Sequence, residues 1–260
     1  MSTYAVTGSA SGIGAATKRL LEAAGHQVIG VDLADAQVVA NLAMPDGRRH
    51  AVNEVLSASG GVLHGLVPCA GLAGLPGRPA PLLVSVNYFG VIDLITGLRD
   101  ALVAGSGAVV AISSNSATCQ PGFSLELVEA CLSGDESMAR MVADEGDSLS
   151  AYPATKTAIA RWIRRHAPTE EWIGAGVRLN AVAPGMVDTP LVAEGRADPA
   201  VGPLLDLYPM PMGRAGRPEE IAAAIDFLLR NDFCVGTVML IDGGTEALFR
   251  PDAWPTRWEP

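Results

Sequence analysis

The sequence predicts a single α/β domain, a doubly wound parallel sheet covered by helices on both faces. Three observations carry that prediction. Short, continuously apolar runs alternate with segments of helical apolar spacing, as strands buried on both faces require. The first apolar run ends in a glycine-rich turn that opens the first helix, with Gly8, Gly12 and Gly14. No linker, repeat or low-complexity stretch divides residues 1–260.

The elements follow in order. Thr3–Thr7 is apolar and ends at Gly8, which makes it the first strand. Residues 13–24 place Ile13, Leu20, Leu21 and Ala24 at helical spacing and stop at Gly25, a residue suited to the position after a helix. Gln27–Asp32 ("QVIGVD") reads as a second buried strand and residues 38–42 as a short third. A helix over 45–57 leads to a fourth strand over 65–69 ("GLVPC"). One long helix over 81–103 precedes a fifth strand over 107–113 ("GAVVAIS"). The remainder reads as a helix over 150–166, a strand over 177–182, a helix over 218–229 and a strand over 237–241.

Composition narrows the partners. A net charge of −10 and a pI near 4.8 argue against nucleic acid and anionic membrane surfaces. Mean hydropathy is positive at +0.28, yet no apolar run is expected to reach the ~18–20 residues of a membrane span. The opening MSTYAVTGSASG has no basic region followed by an apolar stretch, so no secretory signal is expected. Cys69, Cys119, Cys131 and Cys234 lie far apart and the histidines are scattered, so neither a disulfide nor a metal site is expected. A reduced, cytoplasmic protein is the expectation.

The glycine-rich turn "TGSASGIG" points to a dinucleotide. Glycine permits the sharp bend and the close approach of backbone to a pyrophosphate, which then meets the free N–H groups of the following helix. The spacing also suits a plain tight turn; its place between the first strand and first helix favours the nucleotide. Asp32 ends the second strand, where a carboxylate accepts hydrogen bonds from a ribose diol. It would repel a 2′-phosphate, and no Arg or Lys lies among Ser9, Ala10 and Ser11. NAD is therefore expected over NADP.

Tyr152 and Lys156 stand one helical turn apart. Such pairs also occur in ordinary helices, but beside a nicotinamide they acquire a purpose. A phenol with a pKa of about 10 is a poor base near neutrality. An adjacent ammonium and an oxidised pyridine ring would favour the phenolate. Ser114, past the fifth strand, would orient and polarise a substrate oxygen.

Taken together, TGSASGIG, Tyr-x-x-x-Lys, "VNYFG" with Asn87, "ISS" with Ser114 and "APGMVDTP" resemble the short-chain dehydrogenase/reductase family, in the family's order and over nearly the whole chain. The resemblance implies a seven-stranded Rossmann-type sheet and a catalytic tetrad of Asn87, Ser114, Tyr152 and Lys156, with Asn87 helping to hold a water that links Lys156 to solvent. For the cofactor it implies contacts from Gly8, Ser11, Gly12, Ile13 and Gly14, from Asp32 and Leu33, and from Asn41 and Leu42 at the adenine. Cys69, Ala70 and Gly71 would approach the adenosine ribose, and Pro184, Gly185, Val187 and Thr189 the nicotinamide, beside Tyr152 and Lys156. The pattern is most similar to a bacterial subgroup of 3α-hydroxysteroid dehydrogenases/carbonyl reductases. That implies a hydrophobic small-molecule alcohol or ketone as substrate. The alternatives are a terpenoid, aromatic dihydrodiol or 3-hydroxyacyl dehydrogenase, or, in another class, a silent NAD-binding scaffold.

The sequence departs from the family in three places. Cys69 stands in an Asn-Ala-Gly motif, Asn41 stands where Asp is usual, and Ser114 and Tyr152 are 38 positions apart, far more than usual. The additional segment, about 119–149, reads as two short amphipathic helices around Ser133-Gly134 that either wall the pocket or cap an outer surface. It would also obstruct a four-helix interface between subunits, so a homo-oligomer is expected as a dimer rather than a tetramer. Leu191, Leu204, Leu205, Leu207, Met210 and Met212 in the loop over 187–214 would form an apolar lid. The tail, with Trp254 and Trp258, would close a pocket or fray.

Overall fold

The computed structural model describes residues 1–253; the expectation for Trp254 and Trp258 lies outside the described residues. The strands are β1 (Thr3–Thr7), β2 (Gln27–Asp32), β3 (Val38–Val39), β4 (Gly65–Pro68), β5 (Ala108–Ile112), β6 (Arg178–Pro184) and β7 (Val238–Ile241). They form one parallel sheet in the order β3-β2-β1-β4-β5-β6-β7. The strand order turns back on itself between β1 and β4, and in such sheets a ligand crevice opens there beyond the carboxyl ends of the strands.

Before β5 the helices are α1 (Gly12–Ala23), α2 (Pro45–Ser59), α3 (Ala80–Leu83), α4 (Gly90–Gly97) and α5 (Arg99–Ala104). After it come α6 (Ser116–Cys119), α7 (Leu125–Leu132), α8 (Glu136–Asp144), α9 (Ser148–His166), α10 (Pro190–Ala197), α11 (Gly202–Asp206), α12 (Pro218–Arg230) and α13 (Thr245–Phe249). One face of the sheet packs on α2, α4 and α9 through a core that includes Ile29, Leu66, Leu94, Ile159 and Trp172. The other packs on α1 and α12 through Val6, Val110, Ile225 and Leu228.

Two elements differ from the sequence reading. The third strand pairs only at Val38 and Val39; residues 40–42 turn off the sheet edge to become a wall of the crevice. The long helix over 81–103 is broken. Val84–Phe89 widens into a π-helical turn and Leu98 leaves helical geometry at φ −100°, ψ 6°. Such widened turns recur at functional sites, and this one carries Asn87. Ala80–Gly97 also has the length and hydropathy of a membrane span, 1.4 on average over 18 residues, against the expectation of none. In the structure 61% of it is buried, and it packs against β4, α2 and α9, which accounts for its apolarity.

Candidate active site

The crevice is a cavity of about 480 Å³. At its β1 end Gly8 and Gly12 take left-handed backbone, φ +63° and +52°. A Cβ on Gly14 would lie 2.1 Å from the Gly8 carbonyl oxygen, so α1 can start this close to the strand only with glycine there. Ser11, the residue before the helix, makes no side-chain cap bond. The first-turn N–H groups of α1 have no intrahelical partner, and their residues line the cavity. That donor set fits a diphosphate.

Asp32 is fixed at the end of β2, where Oδ2 accepts from Ala10 N at 2.9 Å and Oδ1 from Leu33 N at 2.7 Å. Asn41 closes its own turn by accepting from Ala43 N at 3.0 Å through Oδ1, which sets its amide NH₂ free to face a ligand. At the end of β4, Ala70 N donates to Thr7 Oγ1 at 3.0 Å. A Cβ on Gly71 would lie 3.3 Å from Asn87 Oδ1 and 3.6 Å from Lys156 Nζ.

Asp147 caps α9 by accepting from Ser150 N at 2.8 Å, so the helix starts two residues before the expected Ser150. Pro153 lies inside it and cannot donate to the carbonyl four residues back, that of Leu149. Gln120 Nε2 fills that vacancy at 3.0 Å. The helix therefore runs unbroken past Tyr152 and Lys156. The two serines after β5 divide: Ser113 Oγ donates to the Lys156 carbonyl at 2.8 Å, whereas Ser114 Oγ accepts from Ser116 N at 3.1 Å and stands beside the Tyr152 phenol, whose pKa it lowers. Lys156 Nζ donates to the Ile112 carbonyl at 2.9 Å and stands 5.8 Å from the Tyr152 ring centroid.

Burial dominates the electrostatics of the site. Burial raises the Tyr152 phenol above its ordinary value, partly offset by the Ser114 hydrogen bond, and Lys156 does not enter that balance. Burial also pushes the Lys156 ammonium down to about 8, with Cys69 opposing, and pushes the Cys69 thiol up to about 12, with Lys156 opposing. The Asn87 side chain is anchored at both ends, with one N–H and one lone pair left over. Its Oδ1 accepts from Leu72 N at 2.8 Å and its Nδ2 donates to Leu72 O at 3.0 Å.

Every residue expected at the cofactor lines this one cavity, together with Ser114, Tyr152 and Lys156; Asn87 lies behind its wall. Pro184 ends β6 and Gly185 and Val187 follow it along the cavity edge, and Thr189 caps α10 by accepting from Val192 N at 3.3 Å. Sequence reasoning missed Leu82, Val86, Pro190 and Val192, which also line it. Of the six apolar lid residues, Leu191 alone lines the cavity, while Leu204, Leu207 and Met212 are exposed. The inserted segment forms α7 and α8, which pack on α3, α9 and the π-helical turn.

Three comparisons agree with this geometry. A family model described as enoyl-(acyl carrier protein) reductase matches residues 136–246. Over 258 residues the chain is 39% identical to a 3-alpha-hydroxysteroid dehydrogenase/carbonyl reductase from Comamonas testosteroni, covering 96% of this chain and 99% of that one. The chain belongs to the short-chain dehydrogenase/reductase family. A member from Sinomonas cyclohexanicum, a cis-4-hydroxycyclohexanecarboxylate dehydrogenase, is 35% identical over 269 residues, covering 94% of this chain and 96% of that one. The crystal structure of a 3-alpha-hydroxysteroid dehydrogenase from Pseudomonas sp. B-0831 complexed with NADH superposes with a TM-score of 0.93 at 47% identity, covering 97% and 100% of the two chains. As a short-chain dehydrogenase/reductase, the protein is an oxidoreductase that works with a nicotinamide cofactor.

Proposed function

We propose that this oxidoreductase prefers NAD(H) and interconverts a hydrophobic secondary alcohol and its ketone, with a 3α-hydroxysteroid or a related alicyclic alcohol as substrate class. The observation that carries the reading is a convergence. The Ser114 hydroxyl, Tyr152 phenol and Lys156 ammonium meet past β5, in the same cavity that Asp32 enters from β2, three strands away in the sheet order.

Bound nicotinamide supplies the hydride donor or acceptor. The first turn of α1 holds the diphosphate. Asp32 accepts from the adenosine ribose hydroxyls and repels a 2′-phosphate. Asn41, whose oxygen is taken by Ala43, offers its NH₂ to an acceptor nitrogen of adenine. Lys156 reaches the nicotinamide ribose, and Val187 and Thr189 the carboxamide. Ser114 donates to the substrate oxygen, and Tyr152 gives that oxygen a proton in reduction or takes one in oxidation. The raised phenol suits it to the donor role. Asn87, anchored to Leu72 through both ends of its amide, keeps one donor and one acceptor site with which to help hold a water that links Lys156 to solvent.

The substrate class draws support from two relatives, whose names both specify a secondary alcohol on a saturated ring. The apolar wall of Leu191 and Val192 agrees with it. A homodimer is the proposed assembly, since α7 and α8 occupy the outer faces of α3 and α9 that a four-helix interface would use. Light scattering tests this, and a tetramer would refute it.

The reading is tested by following NAD and NADP reduction with a 3α-hydroxysteroid, its 3β epimer and a 4-substituted cyclohexanol. Faster turnover of the 3α epimer with NAD is expected. Preference for NADP, or no turnover of any ring alcohol, would overturn it.

A further inference from the structure

Arg48 lies in the first turn of α2 and is 2% exposed, far more buried than an arginine on an outer helix needs to be. Its guanidinium ties four parts of the chain together. Nη1 donates to the Leu42 carbonyl and to the Ser85 carbonyl, each at 3.3 Å. Nε stands 2.7 Å from Asp93 Oδ2 on α4. Its outer edge meets Glu136 of the inserted segment through both carboxylate oxygens, one of them from Nη1 at 3.2 Å. Glu136 Oε1 also accepts from Ser85 Oγ at 2.6 Å, and Ser85 Oγ accepts in turn from Arg140 Nη1 at 2.6 Å. Glu136 and Arg140 therefore reach from one face of α8 to a single point on the π-helical turn.

One of the groups held this way belongs to the cavity wall and a second adjoins it. Leu42 lines it, and so does Val86, the neighbour of Ser85. The packing there has no slack: a Cβ on Gly90 would lie 3.3 Å from the Ser85 carbonyl and 3.5 Å from that of Leu42, the two oxygens Arg48 binds. A buried guanidinium that loses one of its two carboxylates shifts toward the one that remains, here Asp93 on α4. Its carbonyl contacts would move with it.

From this we infer that Glu136, acting through Arg48, positions the wall that receives adenosine, so that the inserted segment sets the affinity for the adenosine half of the dinucleotide. Glu136 and Arg48 are positioning residues and neither touches the reacting atoms. The inference rests on the nucleotide reading of the cavity and adds to it a role for the insertion that neither a pocket wall nor a cap provides.

The test measures binding of NADH by its fluorescence, and of AMP and nicotinamide mononucleotide by competition, on wild type, Glu136→Gln and Glu129→Gln. Glu129 belongs to the same insertion but pairs with Arg161 and Arg165 in the open, away from the cavity. Glu136→Gln is expected to weaken NADH and AMP alike, by about 3–10-fold, with nicotinamide mononucleotide and kcat within twofold of wild type and Glu129→Gln unchanged. Should Glu136→Gln not fold, Glu136→Asp, which keeps the charge and shortens its reach, is expected to weaken NADH and AMP about 2–3-fold. NADH and AMP affinities within 1.5-fold of wild type in the variant that folds would overturn the inference, as would an equal loss with Glu129→Gln. Failure of wild type to bind NADH would instead overturn the nucleotide reading itself.

Discussion

Asn115 Nδ2 donates to the Tyr208 hydroxyl at 2.9 Å, and so joins the residue after Ser114 to the lid. The same nitrogen reaches Asp242 Oδ2 at 3.2 Å, and Asp242 accepts from Gly244 N at 3.1 Å and Glu246 N at 2.7 Å. The loops after β5 and β7 and the lid after β6 thus meet at one amide. Burial pushes the Tyr208 phenol up to about 12, so it remains protonated across the working range.

Tyr208→Phe removes the lid's share of this junction and leaves Asn115 on Asp242. A neutral hydrogen bond contributes about 0.5–1.5 kcal/mol. KM for the alcohol should rise about 3–10-fold while NADH binding stays unchanged. An unchanged KM in steady-state kinetics would mean that the lid is held by other contacts, such as Arg78–Glu194 at 2.6 Å.

Gly14→Ala tests the cradle. The new Cβ would meet backbone, the Gly8 carbonyl at 2.1 Å, and no side chain is there to swing aside. The helix start must move, at a cost of about 1–3 kcal/mol, and its N–H groups move with it. A lower Tm and NADH binding weakened by more than about tenfold are expected. Native affinity in a folded variant would contradict the cradle.

Lys156 makes stability depend on pH. Its ammonium titrates near 8 in the folded chain and near 10.5 unfolded, so between those values the unfolded state binds more protons and stability rises with pH. Below pH 8 the full cost of burying the charge is present. The stability of wild type relative to Lys156→Met should therefore increase by about 3 kcal/mol from pH 8 to 10.5. Cys69 and Tyr152, both raised, act in the opposite sense, and because Lys156 holds the Cys69 thiol down, both proteins carry Cys69→Ser so that the difference isolates the lysine. A gap that is flat or narrows in denaturant titrations across that range would contradict the assignment.

The sheet was legible because its signal is local. Runs such as "GAVVAI" suit a strand buried on both faces, and Gly8, Gly12 and Gly14 report tight backbone that suits glycine. The cavity lining was legible for the same reason, since it sits on strand ends fixed by the sheet. What escaped depends on contacts between distant segments. Nothing near Arg48 in the sequence announces Glu136, 88 positions away, nor does Asn115 announce Tyr208. The break in the helix over 81–103 is invisible in an apolar run that is helical throughout by spacing. The burial of Tyr152 and Lys156, which raises the phenol and lowers the ammonium, was equally hidden, because sequence places charges without showing how deep they lie.

The most direct test of the proton-transfer role is single-turnover ketone reduction by the NADH complex of Tyr152→Phe. Loss of this hydroxyl should slow the step by about 10²–10⁴-fold, with NADH bound as tightly as by wild type. A rate within tenfold of wild type would contradict the assignment of Tyr152 as the group that hands the proton to the substrate oxygen.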